Sequence, residues 1–202
     1  MDLFSGILTK PINILESDGI ADYYGSILSF EESEYYFKVL SNTIEWKNDS
    51  VIIYGKEMTT KRKVAWYGEE KFKYTYSNMT KVALPFTKEI SSLKNMVEDK
   101  CREKFNSCLL NLYHSGDEGM AWHSDDEIAL KKDGAIASLS LGAVRKFSFK
   151  NKQTKKTISL QLDNGSLLVM KGETQRYWLH SLPKTKKINL GRINLTFRTI
   201  NL

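Results

Sequence analysis

The stretch Arg192-Ile193-Asn194-Leu195-Thr196-Phe197-Arg198 alternates polar and apolar side chains without a break. In an extended strand successive side chains leave opposite faces, so Arg192, Asn194, Thr196 and Arg198 share one face and Ile193, Leu195 and Phe197 the other. Either face fits the inside of a barrel, and a strand that turned its polar face to water would read the same way. The sharper alternative is a polar lumen. A buried guanidinium without a counter-charge is very costly, and a dicarboxylate would supply one carboxylate to each arginine. Asn111 and Tyr113 repeat the two-residue period on a second strand, offering an amide and a phenol to the same anion.

Outward from this strand the two-residue period recurs in short segments over 108–113, 136–141, 145–149, 158–162 and 167–170, bounded by Gly, Asp and Asn. Asp163-Asn164-Gly165 has the composition of a tight hairpin turn. Upstream the period is helical. Ser29-Phe30-Glu31-Glu32 spells a capping box before Tyr36, Leu40 and Ile44, and Phe86, Ile90, Leu93, Val97, Cys101 and Phe105 form an apolar stripe that would press on one face of a sheet. These patterns predict an α+β fold, a barrel or jelly roll braced by N-terminal helices.

A chain of 202 residues with 41% hydrophobic and 27% charged residues is expected to form a single domain over 1–202, with neither wholesale disorder nor a membrane span. Asp2, Lys10, Glu16 and Asp18 interrupt the first twenty residues, which lack a secretory signal, so an intracellular address is expected. That means cytoplasm in a bacterium and nucleus in a eukaryote. Cys101 and Cys108 read as reduced core thiols. The net charge of +6 suits a polyanionic partner without identifying one.

In Trp122-His123-Ser124-Asp125 the imidazole and the carboxylate are two residues apart, so an extended backbone sends both to one side, where they can grip one ion. His180 lies in a separate extended run. Two histidines and one carboxylate leave three positions open on one face of an octahedral metal, a set that suits non-haem iron(II). A surface His-Asp pair would carry the same spelling.

Asn111-Leu112-Tyr113, His123-Ser124-Asp125, His180-Ser181-Leu182-Pro183 and Arg192-Ile193-Asn194-Leu195-Thr196-Phe197-Arg198 follow one another in the order found in AlkB-family dioxygenases, which the chain resembles over roughly residues 50–200. Asp125-Asp126-Glu127 and Ile136-Ala137-Ser138-Leu139-Ser140-Leu141-Gly142-Ala143 are similar to the subgroup that repairs duplex DNA. The resemblance implies a double-stranded β-helix (jelly-roll) core over about 106–200, with a β-hairpin nucleotide-recognition lid over about 50–83. It implies that His123, Asp125 and His180 hold Fe(II), while Asn111, Tyr113, Arg192, Asn194 and Arg198 surround the co-substrate 2-oxoglutarate. Arg192 would then pair with the distal carboxylate, and Arg198 would lie near the carboxylate beside the keto group. With O2 as second co-substrate, the implied reaction is oxidative dealkylation of N-alkylated bases such as 1-methyladenine and 3-methylcytosine in DNA, releasing formaldehyde from a methyl lesion.

On the substrate side, residues 51–78 interleave aromatic and basic side chains, among them Tyr54, Arg62, Trp66, Tyr67, Tyr74 and Tyr76. Basic groups neutralise phosphates and aromatic rings stack on bases, although aromatic residues in strands also pack cores. By resemblance Tyr74 and Tyr76 face a flipped base, and Tyr54 stands where duplex-acting relatives place an aromatic wedge, usually phenylalanine. Asp126 and Glu127 would face the base, and Lys186 and Lys187, with Lys184, would hold DNA backbone; alternation along Gly142-Ala143-Val144-Arg145 could aim Arg145 inward near the iron. The expected partner is duplex DNA with a flipped base, or RNA, met by a monomer. Rival readings are the same chemistry on RNA or protein, and a catalytically silent nucleic-acid-binding module.

Overall fold

The computed structural model describes residues 10–53, 56–76 and 79–201. Strands β1 (Ile12–Asn13) and β2 (Ile20–Ser26) precede helix α1 (Phe30–Thr43). Strands β3 (Lys47–Ile53), β4 (Lys56–Gly68), β5 (Lys73–Tyr76), β6 (Met79–Val82) and β7 (Leu84–Pro85) lead to helix α2 (Lys88–Cys101). Then follow β8 (Ser107–Tyr113), β9 (Met120–His123), β10 (Ile136–Gly142), β11 (Arg145–Asn151), β12 (Thr157–Leu162), β13 (Ser166–Lys171), the short helix α3 (Thr174–Tyr177), β14 (Trp178–Leu182) and β15 (Arg192–Arg198).

The helices begin where side chains satisfy their first amides. At α1 the Ser29 hydroxyl accepts from the Glu32 N–H at 3.1 Å, and the Glu32 carboxylate accepts from the Ser29 N–H at 2.8 Å. At α2 Thr87 caps with its hydroxyl alone, accepting from the Ile90 N–H, and Arg102, in the left-handed conformation (φ 60°), ends the helix. The apolar stripe of α2 therefore outlasts the helix, yet Phe105 still reaches the core beyond the turn. Glu98, buried on α2, stitches this corner: its carboxylate accepts from Lys94, from Lys104 and from the Phe105 N–H.

From β8 onward successive strands are dealt between two antiparallel sheets. Strands β8, β10, β13 and β15 join the larger sheet, whose order is β1-β2-β13-β10-β15-β8-β4-β3 with β7 beside β4; β9, β11, β12 and β14 form the smaller one, ordered β12-β11-β14-β9. This alternation is the double-stranded β-helix expected. Its larger sheet has two unlike faces. Ile193, Leu195 and Phe197 pack in one cluster with Leu40 of α1 and Ile90, Leu93 and Val97 of α2. The helices cover that apolar face, so the polar face of β15 looks across at the smaller sheet and is the lumen.

The turn at Asp163-Asn164-Gly165 corrects the expected hairpin. Gly165 does adopt a positive φ of 76°, but β12 and β13 belong to different sheets, and the turn is a crossover between layers. Contacts from the larger sheet hold it there: Gly165 N–H donates to the Ser140 carbonyl, and Asn164 Oδ1 accepts from the Gly142 N–H.

In the first half, β3 and β4 form a hairpin and β5 pairs with β6. From Lys63 to Gly68, β4 runs on into the larger sheet beside β8, so Trp66 and Tyr67 are parts of the scaffold. Trp66 donates to the Ser107 hydroxyl, and Tyr67 is buried in the helix-covered core. Tyr74 and Tyr76 fall on β5, and Tyr54 lies outside the described residues. Among the described residues no helix is long and apolar enough to cross a membrane.

Candidate metal centre and co-substrate cleft

Strands β9 and β14 pair so that His123 and His180 lie directly opposite one another. Same-face partners in an antiparallel pair bring their side chains together, and the two imidazole centroids are 4.2 Å apart. Asp125 follows β9 and turns its Oδ1 to within 3.6 Å of His123 Nε2 and 3.8 Å of His180 Nε2. The three ligand atoms all lie within 4.8 Å of one another, a spacing at which one ion can meet them all.

The surroundings prepare each ligand. His123 Nδ1 donates to the Ala121 carbonyl at 2.8 Å, which puts the proton on Nδ1 and leaves the Nε2 lone pair toward the other two ligands. His180 is buried against Phe147 and Phe149, and this burial pushes its pKa down to about 3, so it is neutral and able to donate a lone pair. Burial alone would raise the Asp125 carboxyl, but the charge and hydrogen bond of Arg198 oppose it, and the group lies below the usual carboxylate range. Arg198 Nη2 donates to Asp125 Oδ2 at 2.6 Å, leaving Oδ1 for the metal.

The lumenal face of β15 continues from this centre. Register places Asn194 opposite Asn111 and Arg192 opposite Tyr113 on β8, with Ser140 of β10 opposite Asn194 on the other side. Arg192 is buried, and burial brings its pKa down to about 10. Its hydrogen-bond partners are neutral: Ser140 Oγ at 2.9 Å and Asn194 Oδ1 at 2.7 Å, with the Tyr113 ring centroid 5.7 Å away. Among the described residues no carboxylate pairs with Arg192, and its Nε has no hydrogen-bond partner. A buried cation so placed is stable only if an anion joins it, and a carboxylate of 2-oxoglutarate fits that requirement. The structure thus brings together every residue expected to hold metal or co-substrate.

The expected substrate contacts divide. Asp126 and Glu127 are exposed and line a cavity of about 360 Å³ together with Asp125, Lys152, Gln175 and Arg198. Lys186 and Lys187 are exposed beyond β14. Arg62 faces inward and is buried, where it pairs with Asp49 and donates to Asn111 Oδ1 at 2.9 Å. Its guanidinium is a support of the co-substrate cleft, because β4 turns it under β8. Arg145 also points inward, as alternation suggested, but not to the iron site. It spends its donors on the carbonyls of Ser115, Glu118 and Pro183, tying the loop before β9 to the segment after β14. Lys152 and Gln175, which contact the metal-carboxylate loop, were not foreseen; each lies outside the β-strands, where no alternation marks it.

A family profile describing the 2OG-Fe(II) oxygenase superfamily matches residues 21–198. The human protein named alpha-ketoglutarate-dependent dioxygenase alkB homolog 3 is 35% identical over 187 residues, covering 88% of this chain and 65% of that protein. The mouse protein named DNA oxidative demethylase ALKBH2 is 33% identical over 197 residues, covering 92% of this chain and 82% of that protein. Relative to the homolog 3 proteins, then, the chain spans just under two thirds of their length. The solved structure of OsALKBH1 superposes with a TM-score of 0.62 at 15% identity over 94% of this chain and all of that one, a likeness of fold. With the metal set, the orphaned Arg192 and these relatives together, the chain belongs to the 2OG-Fe(II) oxygenase superfamily and, within it, to the AlkB family.

Proposed function

We propose that this protein oxidatively dealkylates N-alkylated bases such as 1-methyladenine and 3-methylcytosine in DNA, a direct-reversal repair. The observation that carries the reading is a His123-Asp125-His180 set on and just beyond the smaller sheet together with a buried Arg192 on the larger sheet that pairs with no carboxylate among the described residues. The name of the mouse relative, DNA oxidative demethylase, supports a DNA substrate. When bound, iron(II) and 2-oxoglutarate supply the oxidation of an alkyl C–H by O2, with 2-oxoglutarate leaving as succinate and CO2.

The chain's own groups do the rest. His123, His180 and Asp125 Oδ1 would hold the metal, and Arg198 keeps Asp125 ionised. Arg192 takes the distal carboxylate of the co-substrate, with Tyr113 beside it. Asp126 and Glu127 put negative charge around the neighbouring cavity, which favours a base made cationic by N-alkylation. Lys186 and Lys187 offer exposed cations to phosphates. Duplex DNA with an extruded base, met by a monomer, is the substrate form we favour, since Tyr54 occupies the wedge position by resemblance.

Mass spectrometry of a panel of methylated oligonucleotides, in DNA and RNA, single-stranded and duplex, tests the reading. Demethylation of 1-methyladenine or 3-methylcytosine in DNA, with formaldehyde and succinate formed in equal amounts, is the expected result. Succinate formation with every oligonucleotide left unchanged would overturn it.

A further inference from the structure

Lys152 stands in the turn after β11, half-buried among exposed lysines, and its ammonium points inward. Its Nζ donates to Ser124 Oγ at 3.1 Å and to the backbone carbonyl of Gln175 at 2.8 Å. From these two acceptors, one link runs to the Asp126 carboxylate and the other, through the body of Gln175, to the backbone N–H of Asp125. Along one, Ser124 Oγ donates to Asp126 Oδ2 at 3.2 Å, using the hydroxyl as acceptor on one side and donor on the other. Along the other, Gln175 Oε1 accepts the Asp125 N–H at 2.9 Å.

The Gln175 amide is oriented from its far end, because Nε2 lies 3.5 Å from Met170 Sδ and its oxygen is thereby left to Asp125. The turn is fixed as well: Lys152 N–H donates to the Tyr177 carbonyl at 2.7 Å, at the end of α3. Asp125, Asp126, Lys152 and Gln175 all line the same cavity. A carboxylate that follows a strand has no ladder to hold its backbone, and the groups behind a metal ligand fix its geometry and so its affinity.

We propose that Lys152 is a positioning residue that sets the metal carboxylate Asp125 through Gln175 and the cavity carboxylate Asp126 through Ser124, so that one cation aligns the metal seat and the base seat together. The Asp126 branch rests on the base-dealkylation reading; the Asp125 branch does not.

The experiment separates the branches. Mn(II), which does not turn over, is titrated into the metal-free full-length chain, and KM for an oligonucleotide bearing 1-methyladenine is measured at saturating iron. Lys152→Met should weaken Mn(II) binding about 10-fold or more and raise KM, while Lys152→Arg, which keeps a donor, recovers part of both. Gln175→Leu should reproduce the metal loss. Ser124→Ala should leave Mn(II) affinity within about twofold of the parent and raise only KM. Should Lys152→Met fail to fold, the contrast between Gln175→Leu and Ser124→Ala still decides. Mn(II) affinity unchanged in Lys152→Met and Gln175→Leu, or lowered equally by Ser124→Ala and Gln175→Leu, would overturn the proposal. If the parent left the oligonucleotide untouched, the dealkylation reading would fail while the Mn(II) comparison stood.

Discussion

Replacing Arg192 with methionine tests the polar lumen most directly. The side chain is buried, its hydrogen bonds go to Ser140 Oγ and Asn194 Oδ1, and no carboxylate among the described residues compensates its charge. In the ligand-free protein Arg192 is therefore a liability, which its pKa, pushed down to about 10, also records. Methionine fills similar space without that charge. Thermal unfolding of the co-substrate-free variant should thus occur at or above the parental temperature, since Asn194 Oδ1 keeps its bond from Ser138 Oγ. Binding of 2-oxoglutarate should respond oppositely. Losing one partner of a buried charge-assisted pair costs about 3–5 kcal/mol, which at about 1.4 kcal/mol per decade is roughly two to three and a half orders of magnitude in Kd. Isothermal calorimetry with Mn(II) present reads that change, and metal affinity should move far less. Parental 2-oxoglutarate affinity in Arg192→Met would refute the lumenal assignment.

Asp125→Ala should abolish turnover and the weak absorption that anaerobic iron(II) with 2-oxoglutarate gives the parent, because it removes a metal ligand and leaves Arg198 only its longer contact to Glu127; full demethylation by this variant would sink the metal assignment. Glu98→Gln should cost about 1–3 kcal/mol at neutral pH, from weakened lysine contacts and a poorer acceptor for the Phe105 N–H. Because the folded-state carboxyl lies below its ordinary value, its stabilisation is present above the unfolded pKa and is lost as pH falls through the folded one, so parent and variant should converge in acid denaturation profiles. Gly119→Ala drives a methyl into the Leu182 carbonyl, which must push β9 off β14 and separate His123 from His180; Mn(II) affinity should fall well before the fold is lost, as circular dichroism would show. Tyr54→Ala should lower kcat/KM on methylated duplex more than on the same lesion in a single strand, since only the duplex has pairing for a wedge to offset, and equal losses on both would remove the wedge role.

How far the sequence could be read follows from which interactions are local. The α1 capping box, the α2 stripe and the strand at 192–198 are decided within a few residues, and they stand where the spacing puts them. The turn at 163–165 shows the opposite. Its glycine conformation is a local property, correctly legible, but whether two strands pair or part is settled by Ser140, Gly142 and Ile27, which hold the turn from a distance. Arg62 shows the same limit, since a basic residue near aromatic ones looks like a phosphate contact until Asp49 and Asn111 are found around its guanidinium; Arg145 does turn inward, but a set of loop carbonyls takes its guanidinium away from the iron site.

The same distinction explains why the chemistry was more legible than the layout around it. Alternation could say that Arg192, Asn194 and Arg198 share a face, but not which side of the sheet would be wet; α1 and α2 decide that by covering Ile193, Leu195 and Phe197. Once those three are covered, the guanidinium of Arg192 has only the space between the sheets to occupy. The pairing of His123 with His180 across β9 and β14 brings the metal ligands to that same space. A cation that cannot reach water and meets no anion among the described residues then faces the same space as the metal set. That juxtaposition calls for a ligand carrying one carboxylate for the arginine and further donors for the metal, and 2-oxoglutarate has both.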